Sequence, residues 1–401
     1  MKYIVLLGDG MADEPVEALG GKTPLQAADT PNMDRLARSG RVGLVHTVPE
    51  GFHPGSDVAN LSVFGYDPRR CYSGRSPIEA ASMGIELGEN DVAFRLNLVY
   101  LVANYGKLYM ADFSAGHIST EEGKEIVESL QAELGDEVFQ FYPGVSYRHL
   151  LVWRGGKDKM HTAPPHDLTG RSIEDSLPTG EGAAELVDLM NSSQMLLKRH
   201  PVNLRREEKD LPSANSIWLW GQGRAPKLET YADKFGVTGA VISAVDLIKG
   251  IGVYAGLDII EVPGATGYLD TNYRGKAEYA LEALKSRDFV YLHVEAPDEA
   301  AHGGMLEEKI RAIENFDRDV VGIVAEGIGA LGDYRILVLP DHPTPVEKMT
   351  HTSDAVPFIL YGSDAPSVLG QSVEHYDEAS AASTDDVVED GHSLIVQLLK
   401  G

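Results

Sequence analysis

The residues best suited to chemistry in this chain stand at the ends of short apolar runs. Residues 336–351 read ILVLPDHPTPVEKMTH. This is an apolar strand broken by Pro340, with Asp341 and His342 emerging together at its C-terminal tip and His351 returning after a proline-rich loop. A carboxylate beside an imidazole offers the hard oxygen and borderline nitrogen ligands that suit Zn²⁺ or Mn²⁺. The same pair also serves as an ordinary cap or turn. Residues 3–7 form a second apolar run that closes in Gly8-Asp9-Gly10, and residues 289–294 a third that leads into Glu295-Ala296-Pro297-Asp298, with His302 four residues beyond Asp298. If Asp298 opens a helical turn, its carboxylate and the His302 imidazole share one face and one cation.

Three buried strands therefore end in acids, at Asp9, near Asp298 and at Asp341. In a mainly parallel sheet such tips share one edge, the edge at which open α/β sheets keep their sites. Carboxylates and imidazoles crowded there repel one another and resist desolvation. Two divalent cations resolve that conflict. They would also depress the pKa of a nearby hydroxyl and clamp a transferring phosphoryl group. Ser56 follows the Pro54-Gly55 turn and precedes Ala59, Leu61 and Phe64, which bury one side of a helix. Its hydroxyl would sit among free backbone N–H groups that favour an anion. The alternative for Ser56 is a plain N-cap.

The elements around these residues follow an α/β rhythm. Thr30 as N-cap, Pro31 and the stop at Gly40 predict a helix over 32–39. The texture changes near Asp91. Strand-like segments at 93–102 and 108–111, a helix over 120–134 and strands at 149–153 and 217–220 read as a smaller α+β insert. The α/β rhythm returns near residue 230, with strands at 240–243 and 258–262 and helices over 246–255 and 276–286. Ile310, Ile313, Phe316, Val320 and Val324 fall at helical spacing on a helix over 305–328. The expected organisation is a discontinuous domain, 1–90 with 230–401, interrupted by an insert over 91–229.

With 401 residues, 43% of them hydrophobic, the chain is long enough for two cores. The formal net charge of −26 leaves no global positive field for nucleic acid or an anionic membrane. An anionic ligand must be small and held by local cations. The single cysteine, Cys71, excludes an internal disulfide framework and suits a reducing compartment. Residues 1–10 have too short an apolar run for a signal-peptide core, and no stretch approaches a membrane span, so a cytoplasmic location is expected.

GDGM at Asp9, GGKTPLQAADTPNMD, PGSDVANLSVFGYDP, APPHDLTG, PGATGYLDTN, EAPDEAAH and the PDH…TH pair occur in one order along nearly the whole chain. In these motifs the chain resembles the cofactor-independent (2,3-bisphosphoglycerate-independent) phosphoglycerate mutases of the archaeal type, in the alkaline phosphatase superfamily. The resemblance implies an α/β fold, an alkaline-phosphatase-like mainly parallel sheet flanked by helices with a smaller inserted α+β domain. It implies a mutase that interconverts 3-phosphoglycerate and 2-phosphoglycerate through phospho-Ser56. It also implies two divalent metal ions, Mn²⁺ or Zn²⁺ first and Mg²⁺ or Co²⁺ as alternatives. Asp9, Ser56, Asp341 and His342 match the ligands of one, and Asp298, His302 and His351 those of the other.

For the small phosphorylated acid substrate, the resemblance points to His117, His166, Asp167, Arg224 and Lys249. His117 and Asp167 would handle hydroxyls or protons, and Arg224 and Lys249 carboxylate and phosphate. Arg75, between Gly74 and Ser76, is a further fork for phosphate or carboxylate. Against these stand plainer roles: His117 as a cap for the helix near Thr120, Lys249 on an exposed helix face, Arg75 on the surface. The stretch from Pro49 to Gly84 is also similar to a bacterial branch with proposed homoserine kinase activity. A homoserine kinase-like phosphotransferase and a metal-dependent phosphatase or phosphodiesterase are thus the competing readings. No nucleotide-phosphate loop of the G-x-x-x-x-G-K-[ST] type is present, which favours the mutase.

Overall fold

The apolar runs become neighbouring strands in the computed structural model, which describes residues 1–363 and 371–400. Its chain divides into two compact units, Met1–Tyr72 with Lys227–Gly401, and Ser73–Pro226.

The first unit holds an eight-stranded sheet in the order Asp258–Ile259, Gly239–Ile242, Phe289–Val294, Lys2–Gly8, Tyr334–Leu339, Val356–Gly362, Arg41–Val45, Val387–Val388. Only Val356–Gly362 runs against its neighbours. Both faces of the three central strands are covered, which is why their sequences are continuously apolar instead of alternating. Ile4, Leu6, Val290, Leu292, Ile336 and Val338 lie in one core with Phe316, Val320 and Val324 from the helical stretch that follows. Register aligns the strand tips: Gly8 pairs with Val294, and Leu7 with both His293 and Leu339. Asp9, Glu295 and Pro340-Asp341 consequently leave the sheet side by side.

Two local expectations change. The helix at Pro31–Ala37 is not capped by the Thr30 side chain. Asp317 does that work from across the core, its carboxylate accepting from the backbone N–H groups of Asn32 and Met33. The helix expected over 305–328 is Leu306–Phe316, a wider i→i+5 turn at Asp317–Gly322, then Ile323–Gly327. That widened turn carries Asp317 itself.

The second unit is an antiparallel sheet in the order Lys107–Asp112, Val92–Asn104, Arg148–Trp153, Phe139–Val145, with Ser216–Gly223 also paired to Val92–Asn104. Helices Thr120–Leu134 and Ala183–Leu197 bury Ile126, Val127, Leu130, Leu186 and Met190 in its core. The unit begins at Ser73, ahead of the expected boundary at 91. The reason is helix Ser76–Ser82, whose Ala80 packs with Ala93, Leu150 and Val152 of this sheet. Among the described residues no helix is long and apolar enough to cross a membrane.

Candidate metal centre

The side chains of the centre sit at strand tips, on two short helices and, for His351, on a returning loop. Asp9 and Asp341 follow the paired strands Lys2–Gly8 and Tyr334–Leu339, and both are fully buried. Ser56 opens helix Ser56–Val63, but Gly55 holds the capping position and no side chain caps this helix. The Ser56 hydroxyl faces His342 instead, with Oγ 3.1 Å from Nε2. Around the same nitrogen stand Asp341 Oδ2 at 3.3 Å and Asp9 Oδ1 at 3.6 Å. Ligand atoms about 2.1 Å from a tetrahedral ion are separated by roughly 3.4 Å, so these spacings are those of a shared ion.

A second group lies beside the first. Asp298 and His302 occupy helix Ala296–His302 at i and i+4, with Oδ2 3.2 Å from Nε2. His351 brings its Nε2 to 3.5 Å from Asp298 Oδ1 and 2.8 Å from His302 Nε2. The His342 and His351 rings are 4.1 Å apart between centroids, so the two groups adjoin. Within hydrogen-bonding and ion-pairing reach, the structure thus brings together all seven residues matched as ligands: Asp9, Ser56, Asp341 and His342 in one group, Asp298, His302 and His351 in the other.

The electrostatics of the protein alone are unfavourable. Burial, then the charges of Asp341, Glu295 and Asp298, push the Asp9 carboxyl well above its usual range. Burial beside Asp298 lifts Glu295 to about 8. Burial also acts to raise Asp298, but hydrogen bonds from His302 and His351 outweigh it and hold this carboxyl well below the usual range. The hydrogen bond to Asp298 in turn lifts His302 to about 9. Asp9 Oδ1 and Glu295 Oε2 are buried with no hydrogen-bond partner. Orphaned carboxylate oxygens facing imidazole nitrogens are the donor set a divalent cation takes, and the residues present fit such ions. Asp298, His342 and His351, and likewise Asp9, Asp341 and His342, each offer three ligand atoms within 4.8 Å of one another.

Residues that the sequence reading did not single out hold these groups in place. Asn60, one helical turn after Ser56, donates to Asp341 Oδ2 at 2.7 Å and accepts from the buried Tyr291 hydroxyl at 2.6 Å. Its i+4 spacing from Ser56 was the available signal. His293 donates to or accepts from Asp9 Oδ2 at 2.8 Å and Ser243 Oγ at 3.1 Å. With Asp9 and Glu295 it forms a third group of ligand-type atoms. Gly10 has φ +58°, and a Cβ there would stand 2.5 Å from Asp298 Oδ1. Only glycine leaves room for Asp298 to approach the backbone here.

The substrate candidates are distributed differently. Lys249, in the first unit, pairs with Glu261 at 2.7 Å. In the second unit Arg224 is held by Asp158 at 3.0 Å and by the Gly156 carbonyl, leaving Nη1 buried without a partner. Arg75 pairs with Glu79 at 2.9 Å, and the same carboxylate meets Arg95 at 3.2 Å. Arg95 lies over the Trp220 ring, against which the His166 ring stands edge-on. His166 Nε2 is 3.6 Å from Asp167 Oδ1. His117 is exposed beside Tyr147 and is not a cap, since Ser119 caps the helix that follows. Arg95 and Trp220 were absent from the sequence reading because an alternating strand assigns them only to one sheet face.

Comparison with known proteins gives a consistent result. The family model for 2,3-bisphosphoglycerate-independent phosphoglycerate mutase matches residues 37–203. A probable 2,3-bisphosphoglycerate-independent phosphoglycerate mutase of Geobacter sulfurreducens is 62% identical over 399 residues, covering 100% of both chains. The mutase of that name from Methanothrix thermoacetophila is 56% identical over 402 residues, again covering 100% of both. Among solved structures, the PH0037 protein from Pyrococcus horikoshii superposes with a TM-score of 0.83 at 29% identity, covering 99% of this chain and 96% of that one. The cofactor-independent phosphoglycerate mutase from Thermoplasma acidophilum gives 0.70 at 28% identity, covering 100% and 99%.

Proposed function

The chain belongs to the 2,3-bisphosphoglycerate-independent phosphoglycerate mutase family, and we propose that the paired groups around His342 and His351 are where it interconverts 3-phosphoglycerate and 2-phosphoglycerate, through a phosphoserine at Ser56. The observation that carries this reading is the 3.1 Å approach of Ser56 Oγ to His342 Nε2, with Asp9 and Asp341 around the same point. Asp9, Ser56, Asp341 and His342 would hold one divalent ion and Asp298, His302 and His351 the other, with Mn²⁺ or Zn²⁺ favoured by the mixed oxygen and nitrogen donors. Bound there, such ions supply the positive charge that ionises an alcohol near neutral pH and neutralises phosphoryl oxygens.

The residues themselves account for the transfer. Ser56 Oγ, as the alkoxide, attacks phosphorus in line; the Ser56 O–P bond forms and the bond from phosphorus to the glycerate oxygen breaks. The departing glycerate oxygen takes a proton. The other glycerate hydroxyl then gives up a proton and attacks the phosphoserine, so that Ser56 is regenerated. The position of Ser56 at the start of a helix aims backbone N–H groups at the transferred anion. Asn60 fixes Asp341 from the same helix. His117 and Asp167 are the candidates for moving protons at the two hydroxyls, and Arg75, His166, Arg224 and Lys249 for holding carboxylate and phosphate. Turnover of 3-phosphoglycerate by chelated protein reloaded with Mn²⁺, Zn²⁺, Co²⁺ or Mg²⁺, without added bisphosphoglycerate, tests the reading. Phosphorylation of homoserine from ATP with no mutase turnover would point to the kinase branch instead. Inorganic phosphate released in step with substrate loss would make the enzyme a phosphatase.

A further inference from the structure

Thr344, two residues beyond His342, is fully buried and touches both ligand groups at once. Its Oγ1 is 2.6 Å from Asp298 Oδ1 and 3.2 Å from His342 Nδ1. A threonine hydroxyl has one proton and two lone pairs. Asp298 turns both carboxylate oxygens toward the imidazole nitrogens of His302 and His351, so it is the acceptor, and at 2.6 Å the Thr344 proton points to it. The His342 contact is then possible only if Nδ1 carries a proton and donates it to Thr344 Oγ1. Neutral imidazole has one N–H, so Nε2, the nitrogen facing Ser56, Asp341 and Asp9, is left with its lone pair free.

The backbone of Thr344 is immobilised to match. Its N–H donates to the Ala12 carbonyl at 3.1 Å, and its own carbonyl accepts from Lys309 Nζ at 2.9 Å. Lys309 is fully buried and also donates to the Ala12 carbonyl at 3.1 Å and to Asp13 Oδ2 at 2.8 Å. A lysine is almost never buried to this extent unless paired, and the partners of this one are Ala12, Asp13 and Thr344 itself. On the open side Gly10 leaves the necessary space, since a Cβ there would stand 2.6 Å from Thr344 Oγ1.

We propose that Thr344 is a positioning residue that bridges the two metal groups, fixing the His342 tautomer that leaves Nε2 available as a ligand while orienting Asp298 for the neighbouring ion. The inference rests on the two-ion reading above. It concerns a hydroxyl that touches no substrate and ligates nothing itself. Partners of this kind, lying behind the ligands, commonly change metal affinity by 10–100-fold.

The test compares Thr344→Val, which keeps shape and loses the hydroxyl, with Thr344→Ser, which keeps the hydroxyl. Chelated proteins are titrated with Mn²⁺ by calorimetry, and thermal melting of the metal-free forms checks the fold. We expect both ions to bind at least 10-fold more weakly in Thr344→Val and within about 3-fold of wild type in Thr344→Ser. Equal affinities in wild type, Val and Ser variants would overturn the proposal while leaving the two-ion reading intact. A wild type that binds no Mn²⁺ would overturn that reading as well. A second measurement needs no variant at position 344. Nitrogen-15 NMR of metal-free wild type, with the His342 signal assigned by its loss in His342→Gln, should show the proton on Nδ1. A proton on Nε2 would rule out the tautomer argument even if Thr344→Val failed to fold.

Discussion

His302 and His351 face each other through their Nε2 atoms at 2.8 Å, with an Asp298 oxygen close to each nitrogen. Two imidazole nitrogens can approach so closely only with a proton or a cation between them. Three ligand atoms converge there on one point, where the proposed second ion would be held. Asp298→Ala or His351→Ala should therefore lose one equivalent of metal and nearly all turnover, while the far larger apolar core keeps the fold. Two full equivalents by elemental analysis in either variant would remove the assignment.

The metal-free protein should become less stable as pH rises from about 7 to 8. This window lies above the range where the buried His149, His200, His293 and His342, held below the usual imidazole range, act in the opposite sense, and below the range where Lys276, lowered to about 8 by burial, does so. His302, near 9 in the folded chain, and Glu295, near 8, both hold a proton that the unfolded chain releases at about 6.5 and 4.5. Glu378, near 7 because of its burial, acts in the same direction. For His302, the raised pKa is a stabilising interaction, fully present below 6.5 and lost through 9. For the two glutamates it marks the cost of ionising a buried carboxyl, felt increasingly above 4.5. In each case the folded state binds more protons over the window, so stability falls with rising pH. Metal binding should release protons over the same range and flatten the profile. The check is the melting temperature of chelated and Mn²⁺-loaded protein between about pH 7 and 8. A metal-free melting temperature that climbs across this window would contradict the assigned protonation states.

Gly10→Ala should be costly out of proportion to one methyl group. The left-handed backbone at this position carries a penalty of about 1–2 kcal/mol for an L residue, and the new Cβ would also displace Asp298 and Thr344. Reduced metal content with a lower melting temperature is expected. An alanine variant with wild-type metal content and turnover would show that the close approach of Gly10 to Asp298 is not required.

Much of this centre was legible because a buried parallel strand announces itself as an unbroken apolar run, and an acid just past it stands at the sheet edge. Asp9, Asp298 and Asp341 were found that way. His293 was not, because it completes the apolar run FVYLHV, and only the pairing of Leu7 with His293 sets it beside Asp9. Thr344 and Lys309 are ordinary residues for a loop and an amphipathic helix. Their role depends on an approach of Ala12, Thr344 and helix Leu306–Phe316 that no local pattern encodes. The second unit starts at Ser73 and not near 91 for a similar reason: the apolar side of Ser76–Ser82 shows that the helix is covered, but not which sheet covers it.

Ser56→Ala should lower mutase turnover by at least about 10³-fold, since it deletes the proposed nucleophile, yet retain most of the bound metal because three ligands of that group remain. Ser56→Cys should not restore activity, because a thiolate binds the ion tightly and displaces poorly at phosphorus. Steady-state kinetics and metal analysis on the same preparations separate the two effects. Turnover near wild type in Ser56→Ala would exclude a covalent role for this serine.

The most direct test of the account is to mix the Mn²⁺-loaded enzyme with phosphoglycerate labelled in its phosphate, quench in acid and map the label. Acid-stable label on the peptide containing Ser56, absent in Ser56→Ala, is the predicted result. Label on a histidine, or no labelled protein while the mutase is turning over, would contradict a phosphoserine intermediate at this site.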